Sequence, residues 1–173
     1  RGLGDEFHQS TRRCGSHGKG VVCAQEQNQP MSKEYLNYAD IEVGDDIPSI
    51  SRSIDTVQVL NFVDVWTGDT KPTRFNDPDT ATKEGLAGPI VPGLMTMAFI
   101  SRLLTEWARG AELKTLDVVF RGLVLHNITH TLSGIVTDKE ITDGAPQIQC
   151  DVFLENPEST RLIIGKAILE FPK

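Results

Sequence analysis

The chain has 173 residues, the size of one domain, and its apolar content of 39% is enough for one core. Its net charge of −7 argues against nucleic acid as a partner, because phosphate binding needs a clustered positive field, and gives no attraction to an acidic membrane. The longest apolar stretch, Ile90–Ile100, contains Pro92 and Gly93 and falls short of the roughly 20 residues that a spanning helix needs.

Residues 1–30 are rich in Gly, Gln, Ser, Arg and His and carry no lasting period. Such a stretch is expected to be disordered or weakly docked. Four Lys and Arg face three acids there, so the rest of the chain carries −8. One reading takes Met31 as the natural start, with residues 1–30 as upstream sequence; a genuine N-terminal arm is the other. Residues 1–37 are expected to form a flexible tail, and residues 38–173 a single domain. The N-terminus lacks the apolar segment of a secretory signal, and a cytoplasmic location is expected. Three cysteines, Cys14, Cys23 and Cys150, do not make a disulfide framework. Cys150 lies among alternating residues and reads as a small buried apolar group. No metal and no cofactor are expected.

Ile41–Asp46 reads as a strand or extended lead-in that ends in a Gly44-Asp45 turn, and Ser49–Ile54 alternates as a strand. Asp55 or Thr56 can cap a helix carrying Val59, Leu60, Val63 and Trp66 on one side and stopping at Gly68. Residues 69–84 are polar, with Pro72 and Pro78, and are expected to be loop with one helical turn. A helix should then start near Pro92 or Gly93 and run to Arg109, with Gly110 as its stop. Its first half is apolar almost all round, the mark of a helix wrapped by other structure. Four strands follow, around Leu116–Phe120, Ile128–Thr137, Gln147–Leu154 and Arg161–Phe171. Turns at Asp143-Gly144 and Asn156-Pro157 separate the last three. The expected class is α+β: an antiparallel sheet wrapped around one long central helix.

Two places can carry chemistry. Asp69 follows a helix end on a Pro-stiffened loop, where a carboxylate can be held for acid–base work. The alternative is that Asp69, Asp77 and Asp79 are turn residues and caps. Gly93, at the start of the buried helix, leaves free N–H groups at the positive end of its dipole, which can polarise a carbonyl. The alternative is a glycine that simply fits a tight turn. His126 and His130 flank a strand start; each either points into a cleft or is a surface or hydrogen-bonded residue.

The order Thr67-Gly68-Asp69-x-x-Pro72, then Ala81, then Gly85-x-x-Gly88-Pro89-Ile90-Val91-Pro92-Gly93-Leu94-Met95-Thr96 resembles the MaoC-like (R)-specific enoyl-CoA hydratases and dehydratases. Their signature is S/T-G-D-x-N-P-I-H-x-D, followed by G-x-I-x-H-G-M-x-T. Tyr38–Asp45 resembles the family's opening strand, and Phe120–Val124 its R-F-x-x-P-V element with Phe and Arg exchanged. The resemblance covers Tyr38–Lys173 and implies a hotdog fold. It also implies action on an acyl thioester of coenzyme A or acyl carrier protein, as in fatty acid metabolism. In that family the Asp and the His activate water for addition across a 2-enoyl thioester, and the helix-start Gly N–H holds the thioester oxygen.

The Asp carries over to Asp69 and the Gly to Gly93. The His does not carry over. Arg74 stands five residues past Asp69, and Phe75 takes the place if one residue is inserted. Pro92 replaces the second His, and Lys71 the Asn. Neither Arg nor Phe exchanges protons near neutral pH. An ion pair between Asp69 and Arg74 is expected, with Gly93, Leu94, Phe75 and Ser101 on the substrate. Ser101 has an alternative, a bond to its own helix. Three functions follow from the resemblance: an enzyme using Asp69 as its one ionisable group (hydratase, dehydratase or thioesterase), a non-catalytic hotdog subunit shaping the pocket of a catalytic partner, and an acyl-CoA sensor. Pairing as a homodimer or a hotdog heterodimer is expected in each.

Overall fold

The computed structural model describes residues 36–68 and 71–172. Almost all of the expected tail, and with it Cys14 and Cys23, lies outside these residues. Leu36 packs against the core, and the Asn37 side chain caps a 3-10 turn at Tyr38–Asp40 by accepting from Ala39 N at 3.1 Å.

Five strands and three helices follow: β1 (Asp46–Ser53), α1 (Thr56–Thr67), α2 (Pro78–Lys83), α3 (Gly93–Trp107), β2 (Glu112–Phe120), β3 (Thr129–Thr142), β4 (Ala145–Glu155) and β5 (Arg161–Glu170). The sheet is antiparallel, in the order β1-β3-β4-β5-β2. Strands β3, β4 and β5 are sequential neighbours because turns join them. Crossovers place β1 and β2 at the two edges. Helix α3 contacts β1, β2, β3 and β4, and its Ile100, Leu103 and Leu104 meet Ile148, Cys150, Val152, Leu154, Ile163 and Leu169 in one core. Full burial of each large aliphatic side chain contributes roughly 1.5–3 kcal/mol. Burial pushes the Cys150 thiol up to about 12, as befits an inert core group.

Local signals explain most boundaries. Asp55 caps α1 by accepting from Gln58 N at 2.8 Å, and Gly68, at φ 61°, closes it in the left-handed conformation. Asp77 caps α2 by accepting from Thr80 N and Thr80 Oγ1 at 2.7 and 2.6 Å. Those two bonds, side chain first, hold the Asp77 carboxyl below the ordinary carboxylate range.

Three expectations need correction. The first strand starts at Asp46, because Val43 and Gly44 turn the chain before it. On α1 only Val59 and Val63 are buried; Leu60 and Trp66 stay exposed. The first half of α3 is not wrapped all round, for Leu94 is 50% exposed and Ala98 is open as well. Helix α1 and the first turns of α3 therefore present apolar side chains that this chain does not cover.

Candidate functional site

The site is organised by backbone bonds that bring the motif loop to the start of α3. Ile90 N donates to Arg74 O at 3.1 Å, and Val91 N donates to Val124 O at 2.7 Å. Ile90 also bridges Leu125. The loop at residue 74, the extended stretch 90–91 and the segment 124–125 thus lie side by side just ahead of Gly93. Asn76 holds the loop's shape. Its Oδ1 accepts from Thr73 N and Thr73 Oγ1 at 2.7 and 3.1 Å, and its Nδ2 donates to Lys71 O at 3.0 Å. Asn76 was not singled out from the sequence, although an Asn beside a capping Asp is a turn signal.

Gly93 is the first residue of α3. Pro92 precedes it and offers no side-chain cap, so among the described residues the N–H groups of Gly93 and Leu94 have no hydrogen-bond partner. The Phe120 ring leans over Gly93, and a Cβ there would lie 2.9 Å from its Cζ. Two N–H donors at the positive helix end, beside an aromatic wall, suit a carbonyl oxygen.

Asp69 lies outside the described residues, and so does its expected pairing with Arg74. Within them, Arg74 Nε pairs with Glu84 Oε2 at 3.2 Å, both side chains are roughly half exposed, and the guanidinium lies over the Phe75 ring at 5.8 Å. Phe75 itself is half-buried and packs against the core. Its ring meets Trp66 at 6.1 Å, and Trp66 meets Phe62 at 6.1 Å. Ser101 Oγ donates to Met97 O at 3.0 Å, the second of its two readings. Glu84 and Trp66 were not foreseen as neighbours of the site, because nothing local in sequence pairs them with residues 74 and 75.

Neither histidine is a surface residue: His126 is half-buried and His130 is buried. His130 is 1% exposed. Both ring nitrogens of His126 and Nδ1 of His130 are buried without a partner. Burial lowers the pKa of each ring below the ordinary histidine value; the backbones of Ile90 and Ile128 offset part of that shift.

The sequence profile of the MaoC like domain matches residues 42–153. The chain belongs to the MaoC-like domain family. Solved structures of similar fold include an (R)-hydratase from A. caviae involved in PHA biosynthesis (21% identity, 77% of this chain and 98% of that one, TM-score 0.67). The ChsH1–ChsH2 complex from Mycobacterium tuberculosis is similar as well (23% identity, 76% and 98%, TM-score 0.65), as is a MaoC-like dehydratase from Rhodospirillum rubrum (18% identity, 80% and 98%, TM-score 0.67). A search of curated proteins found no match. The hotdog fold of the family is therefore the fold of this chain, and Gly93 opens its α3.

Proposed function

We propose that this MaoC-like domain binds an acyl thioester, of coenzyme A or acyl carrier protein, with the thioester oxygen at the N–H groups of Gly93 and Leu94. The observation that carries this reading is the uncapped start of α3, bare of a Cβ at Gly93 and walled by Phe120. Asp69 is the one ionisable group placed by the motif, and it acts as a base for hydration, dehydration or thioester hydrolysis. Arg74, at the loop rim, exchanges Glu84 for an acidic acyl group or the thioester, through charge-assisted hydrogen bonds. Phe75 and Ser101 lie on the acyl side. The test is turnover of 2-enoyl- and saturated acyl-CoA panels by purified protein, with Asp69→Asn as control. Turnover that depends on Asp69 supports the enzyme reading.

A second reading is a non-catalytic subunit or acyl-CoA-binding module that pairs with a catalytic hotdog partner. It is favoured by the absence of a proton-exchanging side chain at both Arg74 and Phe75. In either reading the chain pairs in the cytoplasm, and no cofactor or metal takes part. The uncovered apolar side chains support pairing: Leu94, Val119, Phe120 and Leu123 are each about half exposed, and Val119 and Phe120 lie on β2, at an edge of the sheet. An open edge flanked by apolar groups is a surface for association. Light scattering at micromolar concentration is expected to give a dimer or larger species; a monomer contradicts the pairing.

A further inference from the structure

We propose that the segment Leu125–His130 is a pH-sensitive latch that seats the start of α1 at neutral pH and releases it in mild acid. The seat is built around Asn127. This residue sits at φ 59°, in the left-handed region, and its N–H donates to Ile54 O at 2.8 Å. Its side chain brackets the first residue of α1: Thr56 N donates to Asn127 Oδ1 at 3.3 Å, and Asn127 Nδ2 donates to Thr56 Oγ1 at 3.0 Å. A cleft of about 320 Å³ adjoins this clamp, lined among others by Thr56, Asn76, Leu125 and His126.

The two histidines stand on either side of this clamp, and three of their ring nitrogens are buried without partners. A buried polar atom without a well-formed hydrogen bond is destabilising, so the closed segment is held less firmly than its backbone bonds suggest. A protonated ring would place a second donor and a charge in the same surroundings. No neighbouring charge offsets that cost. Arg52, opposite His130 in β1, stacks on Phe99 at 5.0 Å. Asp55 accepts from Gln58 N, Asp77 accepts from Thr80, Asp79 is exposed on α2, and Glu84 pairs with Arg74. None of these groups shifts either ring; burial is the main influence on both.

The direction follows from linkage. Closed, both rings titrate below the ordinary histidine value; released, they regain it. The closed state is therefore fully favoured above about pH 6.5 and loses ground as pH falls through that value. Between pH 7.0 and 5.5 the opening equilibrium should rise, by at most about eightfold per histidine and roughly seventyfold for two. Opening would free the first turn of α1, the helix that leads through Gly68 into the motif loop.

Hydrogen exchange of the full chain at pH 7.0 and 5.5, corrected for intrinsic rates, tests the latch. Protection in residues 54–60 and 125–131 should fall, by up to roughly seventyfold, while residues 148–154 of β4 hold theirs. His126→Phe and His130→Leu should each remove part of the pH dependence, up to about eightfold. If either variant fails to fold, ring-proton NMR titration of the wild-type chain decides. Midpoints below the ordinary value support the latch; midpoints at the ordinary value overturn it, as does an unchanged protection pattern or a loss spread evenly over the sheet.

Discussion

Replacing Asp69 by Asn is expected to lower turnover of an acyl thioester by about 10²–10⁴-fold, the usual worth of a positioned general base, while substrate binding changes little. Turnover and binding separate because, in the proposed site, the N–H groups of Gly93 and Leu94 would bind the thioester and the Asp69 carboxylate would transfer the proton. Steady-state kinetics of both proteins on 2-enoyl- and saturated acyl-CoA checks this. A variant as active as the wild type removes Asp69 from the mechanism and points to another base.

Returning a histidine to the motif loop is the second large expected effect. In the family signature the His stands five residues after the first Asp and two before the second. This chain has one residue more between the two, so Arg74 satisfies the first count and Phe75, two before the capping Asp77, satisfies the second. The Arg74 side chain turns to Glu84 and is half exposed, whereas Phe75 packs inward beside Trp66. Both Arg74→His and Phe75→His should raise hydration of a short 2-enoyl-CoA, and Phe75→His by the larger factor, about 10²-fold or more. Hydration rates of the two variants against wild type measure it. A gain in neither shows that the pocket lacks more than the second proton carrier.

Much of the fold was legible because the late strands alternate and their turns carry Gly, Asn or Pro. His130 was not read as part of that pattern, although it shares the buried face of β3 with Leu132, Gly134 and Val136, and the alternation was the signal that places its ring inside. The far half of β3 was not legible. Pairing with β4 shifts register between Val136 and Asp138, which ends the alternation at Thr137 while the hairpin runs on to Thr142. The exposed apolar side chains of α1 and α3 were misread as core because hydrophobicity states that a residue will be covered and not what covers it. At the site, Asp69 and Gly93 came from the motif. The side-chain directions of Arg74 and Phe75 did not, since they depend on Glu84 and Trp66, which the sequence does not tie to them.

The central claim is that the start of α3 receives the oxygen of an acyl thioester. A calorimetric titration tests it most directly, using a ketone analogue of an acyl-CoA in which methylene replaces the sulfur and the carbonyl is kept. The wild-type chain should show saturable binding. Gly93→Ala, whose new methyl group would lie 2.9 Å from Phe120 Cζ and displace that ring, should weaken it about tenfold or more, about 1.4 kcal/mol, with an unchanged melting temperature. Absence of binding to the wild-type chain, or equal affinity in the variant, would contradict the account.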